Sequence, residues 1–133
     1  MTQTEKELLL RDLCARLPYD VKVFYDNKVY SIDYVSCTYE EIKLDILDNY
    51  TIGISEVKPY LFPLSSMTEE QYNEFFSYYH NIEMAEIKSS GDYLKAAYIS
   101  DDAKYSWLNK NHFDYRGLIE RGLAIDATGL NIY

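Results

Sequence analysis

From Leu9 onward the apolar positions Leu9, Leu10, Leu13, Cys14 and Leu17 recur three or four residues apart, which lines them along one side of a helix. Thr4 followed by Glu7 is a capping-box pair, able to satisfy the free amides of a helix start. Pro18 cannot continue a helical ladder. The pattern predicts a helix over 4–17. At Val21 the period falls to two. Val21, Val23 and Tyr25 alternate with polar or outward positions; so do Tyr30, Ile32 and Tyr34, then Ile42, Leu44 and Ile46, then Tyr50, Ile52 and Ile54. Asp26-Asn27 and Asp48-Asn49 supply turn residues tolerant of positive φ between runs. This is the signature of an antiparallel meander. Val57-Lys58-Pro59 continues it, since a residue before proline avoids the helical region. Four or five short strands closing on Pro59-Tyr60-Leu61 predict a small SH3-like barrel.

Helical spacing returns after Pro63. Ser66 with Glu69 and Thr68 with Gln71 both fit a capping box. Tyr72, Phe75, Phe76 and Tyr79 then share one face of a helix over 69–80, which is expected to bury them against the strands. Glu70, Asn73, Glu74 and Ser77 occupy its other side. Residues 82–99 admit two readings. Ser89-Ser90-Gly91-Asp92 is a turn signal that would join two strands, whereas Ala96 and Ala97 suit a helix. Ser100-Asp101-Asp102 is read as the cap of a helix over 101–111, and Asp114 as the cap of a short helix bearing Leu118 and Ile119. The segment Asp126–Tyr133 has no strong period and is expected to fray. The fold class predicted is α+β in one domain over 1–133: helix plus β-meander over 1–64, and a mainly helical part over 65–133 packed on it.

Composition narrows the classes. With 47% apolar residues in 133, the chain has enough material for a core without metal or disulfide staples. Melting is therefore expected to be indifferent to chelator and reductant, with Cys14 and Cys37 as buried free thiols. No stretch approaches the ~18 apolar residues of a membrane span, and Met1–Lys6 lacks the build of a signal peptide, so the expected compartment is the cytoplasm. The net charge of −9 comes without a basic cluster in linear sequence, which disfavours direct nucleic-acid binding. Tyrosine is the outlier, at 15 residues. Its ring and hydroxyl suit half-buried positions and interfaces.

Catalytic patterns are sparse. His112-Phe113-Asp114 pairs an imidazole with a carboxylate, as a general base and its orienter would require, yet Asp114 also fits a helix cap. His80, His112, Cys14 and Cys37 show no metal-ligand spacing. Ser65-Ser66 lack the nucleophile-elbow setting, and no phosphate-binding glycine loop occurs. No catalytic, cofactor-binding or metal residues are assigned. Trp107, His112, Tyr115 and Arg116 form the candidate interaction surface, because Trp, Tyr and Arg dominate interface energetics. The same residue types also suit a structural corner.

Three segments carry a resemblance: Leu9–Tyr19, Val57–Glu70, and Trp107-Leu-Asn-Lys-Asn-His-Phe-Asp-Tyr-Arg-Gly-Leu-Ile-Glu-Arg-Gly-Leu-Ala124. With them the chain resembles a family of small proteins of unassigned function from gut anaerobes, their phages and mobile elements; residues 82–99 match least. The resemblance implies a context and no chemistry. The function expected is non-catalytic binding of an unidentified protein partner by a phage- or mobile-element-type accessory protein, with an anti-defence role as a narrower sub-hypothesis. The alternatives are an enzyme with a site near His112 and Asp114, and a nucleic-acid-binding small barrel.

Overall fold

Helix α1 (Gln3–Arg16) starts and ends one residue earlier than the predicted 4–17. Thr2, not Thr4, is the N-cap: its Oγ accepts from the Glu5 amide at 3.2 Å, and Glu5 accepts from the Thr2 amide at 2.9 Å. Both Thr-x-x-Glu pairs fit the box, and the earlier one adds two residues to the ladder. The buried face also differs from expectation. Leu9, Leu10 and Leu13 are buried, but the remaining buried positions are Asp12 and Arg16, while Cys14 is exposed. In this computed structural model the described residues are 1–45 and 50–133; Ile46 and the Asp48-Asn49 turn lie outside them.

Strands β1 (Lys22–Tyr25) and β2 (Lys28–Ser36) form a tight hairpin, with Tyr25 opposite Lys28 and Val23 opposite Tyr30. Asp26 and Asn27 take φ of 48° and 62°, as a two-residue turn matched to strand twist requires. β3 (Glu41–Leu44) and β4 (Thr51–Gly53) extend the meander. Ile42, Leu44, Ile52 and Ile54 point into the core, as the alternation predicts. β5 (Lys58–Pro63) pairs antiparallel with β1, Val23 facing Pro59. The barrel does not close. The free edge of β5 is taken by two short parallel strands, β6 (Phe113–Asp114) and β7 (Ile125–Asp126), so the order is β4-β3-β2-β1-β5-β6 with β7 also on β5. The fold is α+β with an open mixed sheet.

Two long helices follow the sheet. α2 (Glu69–Ser90) begins at the Thr68–Gln71 box, as expected, but runs ten residues beyond 80. Gly91, at φ 67°, ends it, and the Asp92 carboxylate caps α3 (Tyr93–Lys110) through the Leu94 and Lys95 amides. The turn signal at 89–92 is thus real, but it joins two helices instead of two strands, and Ser100–Asp102 lie inside α3 instead of capping it. Ala96, Ser100, Ala103 and Trp107 are buried at spacings of four, three and four. The small side chains of Ala96, Ser100 and Ala103 let α2 approach closely. α2 packs on α3 and not on the strands: Phe75 and Tyr79 are half-buried, whereas Tyr72 and Phe76 are exposed.

The chain then returns to the sheet. No helix forms after Asp114, because Gly117 and Gly122 adopt φ of 74° and 72° and leave room for turns only. The Asp114 carboxylate still acts as a cap, accepting from the amides of Leu118 at 3.0 Å and Ile119 at 2.9 Å. Leu118, Leu123 and Ala124 enter the same core as α1 and the strands. The end of the chain is also held. The Ala127 amide donates to the Leu61 carbonyl at 2.8 Å, and the Tyr133 hydroxyl donates to the Tyr60 carbonyl at 2.6 Å. The fraying read from weak periodicity fails because these are backbone and hydroxyl contacts, which leave no hydrophobic period.

Candidate functional site

The segment 107–124 crosses the junction of α3, the sheet and α1, and each of its four candidate residues is engaged there. Trp107 is buried, stacked on Phe113 with centroids 5.8 Å apart, and its indole N–H donates to Glu74 at 3.2 Å. Tyr115 donates its hydroxyl to Asn109 at 2.8 Å. Arg116 reaches across to α1 and binds Asp12 Oδ1 at 2.9 Å. The other Asp12 oxygen takes the Nε of Arg16, also at 2.9 Å, while Arg16 Nη2 donates to the Phe113 carbonyl at 2.6 Å. Both guanidinium groups lie against the Tyr115 ring, at 5.4 and 4.6 Å from its centroid. One buried carboxylate therefore holds two arginines, and through them the return strand, onto α1. Charges removed from water persist only when paired and hydrogen-bonded in this way.

His112 has a different setting. It sits at φ 63°, a left-handed conformation uncommon outside glycine, and stacks on Tyr133 with centroids 3.6 Å apart. Its Nδ1 is buried without a hydrogen-bond partner, as is Arg16 Nη1. Burial lowers the imidazole pKa to about 4, and the Arg16 charge pushes the same way, so the ring is neutral at physiological pH. It lines a cavity of about 470 Å³ with Phe62, Gln71, Asn111, Phe113 and Tyr133, a volume in the range of small-molecule sites. Asp114 does not join it there. Asp114 lines a separate hollow with Tyr115 and Gly117, and both its carboxylate oxygens are occupied by backbone amides. The two residues of the sequence pair thus open onto different surfaces. Among the described residues, no three His, Cys, Asp or Glu side chains converge as metal ligands would.

A second surface emerges on the α2–α3 hairpin, where periodicity alone did not place it. α2 carries two apolar stripes. Phe75, Tyr79 and Ile82 face α3, with Phe75 centred 5.2 Å from Trp107. Tyr72, Phe76, His80 and Met84 form the other stripe, at spacings of four, and all are exposed. Their rings form a ladder, Tyr72 on Phe76 at 6.5 Å and Phe76 on His80 at 5.3 Å. On α3, Leu94, Tyr98 and Tyr105 lie opposite the face that meets α2 and are exposed as well. The signal was present in the sequence: a helix paired with one partner needs one apolar stripe, and α2 has two. Residues 69–110 also hold eight acids against four lysines. Across the strands, Lys22 pairs with Asp20 and Lys43 with Asp33, both at 2.8 Å, so carboxylates interrupt the cations there. No helix among the described residues is long and apolar enough to cross a membrane. Comparisons with protein-family models, with curated proteins and with solved structures return no match.

Proposed function

We propose that this protein is a non-catalytic accessory protein that binds another protein through the α2–α3 hairpin. The observation that carries the reading is the exposure of Leu94 and Tyr98, at 86% and 78%, on a helix whose opposite face is buried. A helix with one packed face normally turns charged side chains to water on the other. An apolar, tyrosine-rich face in that position favours a partner, because grouped exposed apolar side chains mark contact sites and Tyr contributes large contact area with few rotatable bonds. The excess of acids over lysines along the hairpin fits a partner whose contact face carries Lys or Arg among apolar groups. The hairpin replaces the Trp107, His112, Tyr115 and Arg116 surface in this reading, since the side chains of that segment are engaged within the fold. The family resemblance supplies the context: a cytoplasmic protein of phage or mobile-element type, with an anti-defence role as the narrower form.

The test is a pull-down from host extract comparing the wild-type protein with a Leu94→Ser, Tyr98→Ser double variant. The variant should lose less than about 0.5 kcal/mol of stability, as surface changes do. Its captured partner should fall by about tenfold or more, the effect of removing interface anchors. Equal capture by both proteins would defeat the hairpin reading.

A further inference from the structure

Cys14 and Cys37 come from parts of the chain that the sequence keeps apart, yet their sulfurs lie 3.6 Å from one another. Both residues are exposed, contrary to the expectation of two buried thiols. Cys14 stands on the flank of α1, turned away from the Leu9–Leu13–Arg16 face. Cys37 opens the turn between β2 and β3. That turn is already fixed against α1: Gln3 Nε2 donates to Glu40 at 2.7 Å, and Lys6 pairs with the same carboxylate at 3.7 Å. A bond of about 2.05 Å between the sulfurs therefore asks for roughly 1.5 Å of approach between two surfaces that already touch.

We propose that Cys14 and Cys37 form a reversible intrachain disulfide, a modification site whose oxidant is a low-molecular-weight disulfide such as oxidised glutathione. One thiol loses its proton and its thiolate attacks the small disulfide, forming a mixed disulfide and releasing one equivalent of the small thiol. The second thiolate then attacks the protein sulfur of that mixed disulfide, closing the Cys14–Cys37 bond and releasing the second equivalent. The protein loses two protons and two electrons, and the small disulfide gains them as two thiols. Exposure gives the reagent access, and the 3.6 Å separation makes the second step intramolecular. The bridge closes a loop of roughly two dozen residues, so it restricts the unfolded chain. In the folded chain it fastens α1 to the meander at a second point. Partial burial pushes the Cys14 thiol up to about 11, with Cys37 adding in the same direction; exchange should accordingly quicken as pH rises toward that value.

The experiment treats the whole protein with oxidised glutathione at pH 8, then counts thiols, maps peptides and records melting. Wild type should lose both thiols, yield one peptide pair joined through Cys14 and Cys37, and stay monodisperse. Its melting temperature should rise by about 5–10 °C and return to the starting value with dithiothreitol. Cys14→Ser and Cys37→Ser should each stop at the mixed disulfide, one glutathione per chain, with no such rise. The proposal is overturned if wild type retains both thiols, ends with glutathione on each cysteine or joins separate chains. A bridged protein that melts no higher than the reduced one also overturns it.

Discussion

The junction of α1, the sheet and residues 107–127 contrasts with the α2–α3 hairpin at almost every level. In the junction, apolar side chains from α1, five strands and the return loop share one core, and even its charges, Asp12 and Arg16, are wholly buried. α2, at 22 residues the longest helix among those described, has no fully buried side chain. The junction uses its polar groups to fix chain path; the hairpin leaves most of its aromatic groups facing water. Tyrosine is a contact-forming residue in both places, whereas every arginine lies outside the hairpin. What separates the two regions is whether the contact is already made inside the molecule. Residue type alone does not distinguish a contact made inside the fold, as at Trp107, Tyr115 and Arg116, from one left open to water.

The largest test of the contrast is Asp12→Ala. It would leave Arg16 and Arg116 without their shared carboxylate, and Arg16 has no route to solvent. Removing one member of a buried charge network costs about 3–5 kcal/mol, so the urea midpoint should fall accordingly. A loss below about 1 kcal/mol would mean that the junction does not depend on these charges. Replacing all three by apolar residues is a separate matter, since a well-packed apolar substitute can match a buried ion pair.

Within the hairpin, Phe75 and Phe76 are adjacent in sequence and sit on different stripes. The single apolar face expected over 69–80 would give both the full cost of a buried aromatic. The structure predicts a split. Phe75, half-buried against Trp107, should cost about 2 kcal/mol on truncation to Ala, below the ~3–5 of a fully buried ring. Phe76, 43% exposed, should cost less than about 1 kcal/mol. Equal losses in chemical denaturation would show that the two stripes are one face.

How much of this was legible follows from what leaves a period in sequence. The meander could be read because alternation at Val21–Tyr25 and Ile42–Leu44 reports a half-buried sheet. The start of α2 could be read from Thr68 and Gln71. The open sheet could not, because β6 and β7 are two residues each and gain their place through backbone pairing. Asp12 and Arg16 were invisible for the same kind of reason: a buried ion pair looks like solvated surface to a hydrophobic pattern. In the candidate site, Asp114 as a cap was legible from its residue type. The partner of Arg116, 104 residues away, had no local signal.

The smallest expected effect falls at the seam between the two regions, where Gln71 at the start of α2 and His112 share the walls of one cavity. Burial holds the folded imidazole pKa at about 4, whereas an unfolded histidine takes its proton near pH 6.5. Above about pH 6.5 neither state is protonated at this group, and His112 adds no pH dependence. As pH falls from about 6.5 toward 4, the unfolded chain binds a proton that the folded chain refuses, so stability declines. Below the folded pKa both states carry it, and this contribution levels off. The full shift would correspond to about 3 kcal/mol; partial exposure of the ring reduces the expectation to about 1–2. His112→Asn is the suitable comparison, since Asn tolerates positive φ and does not titrate. Denaturation midpoints of the two proteins should diverge between pH 6.5 and 4 by that amount, with wild type the more acid-sensitive, while carboxylate titrations common to both cancel. Parallel pH curves would mean that the ring is solvated, and that the seam between hairpin and junction is open to water.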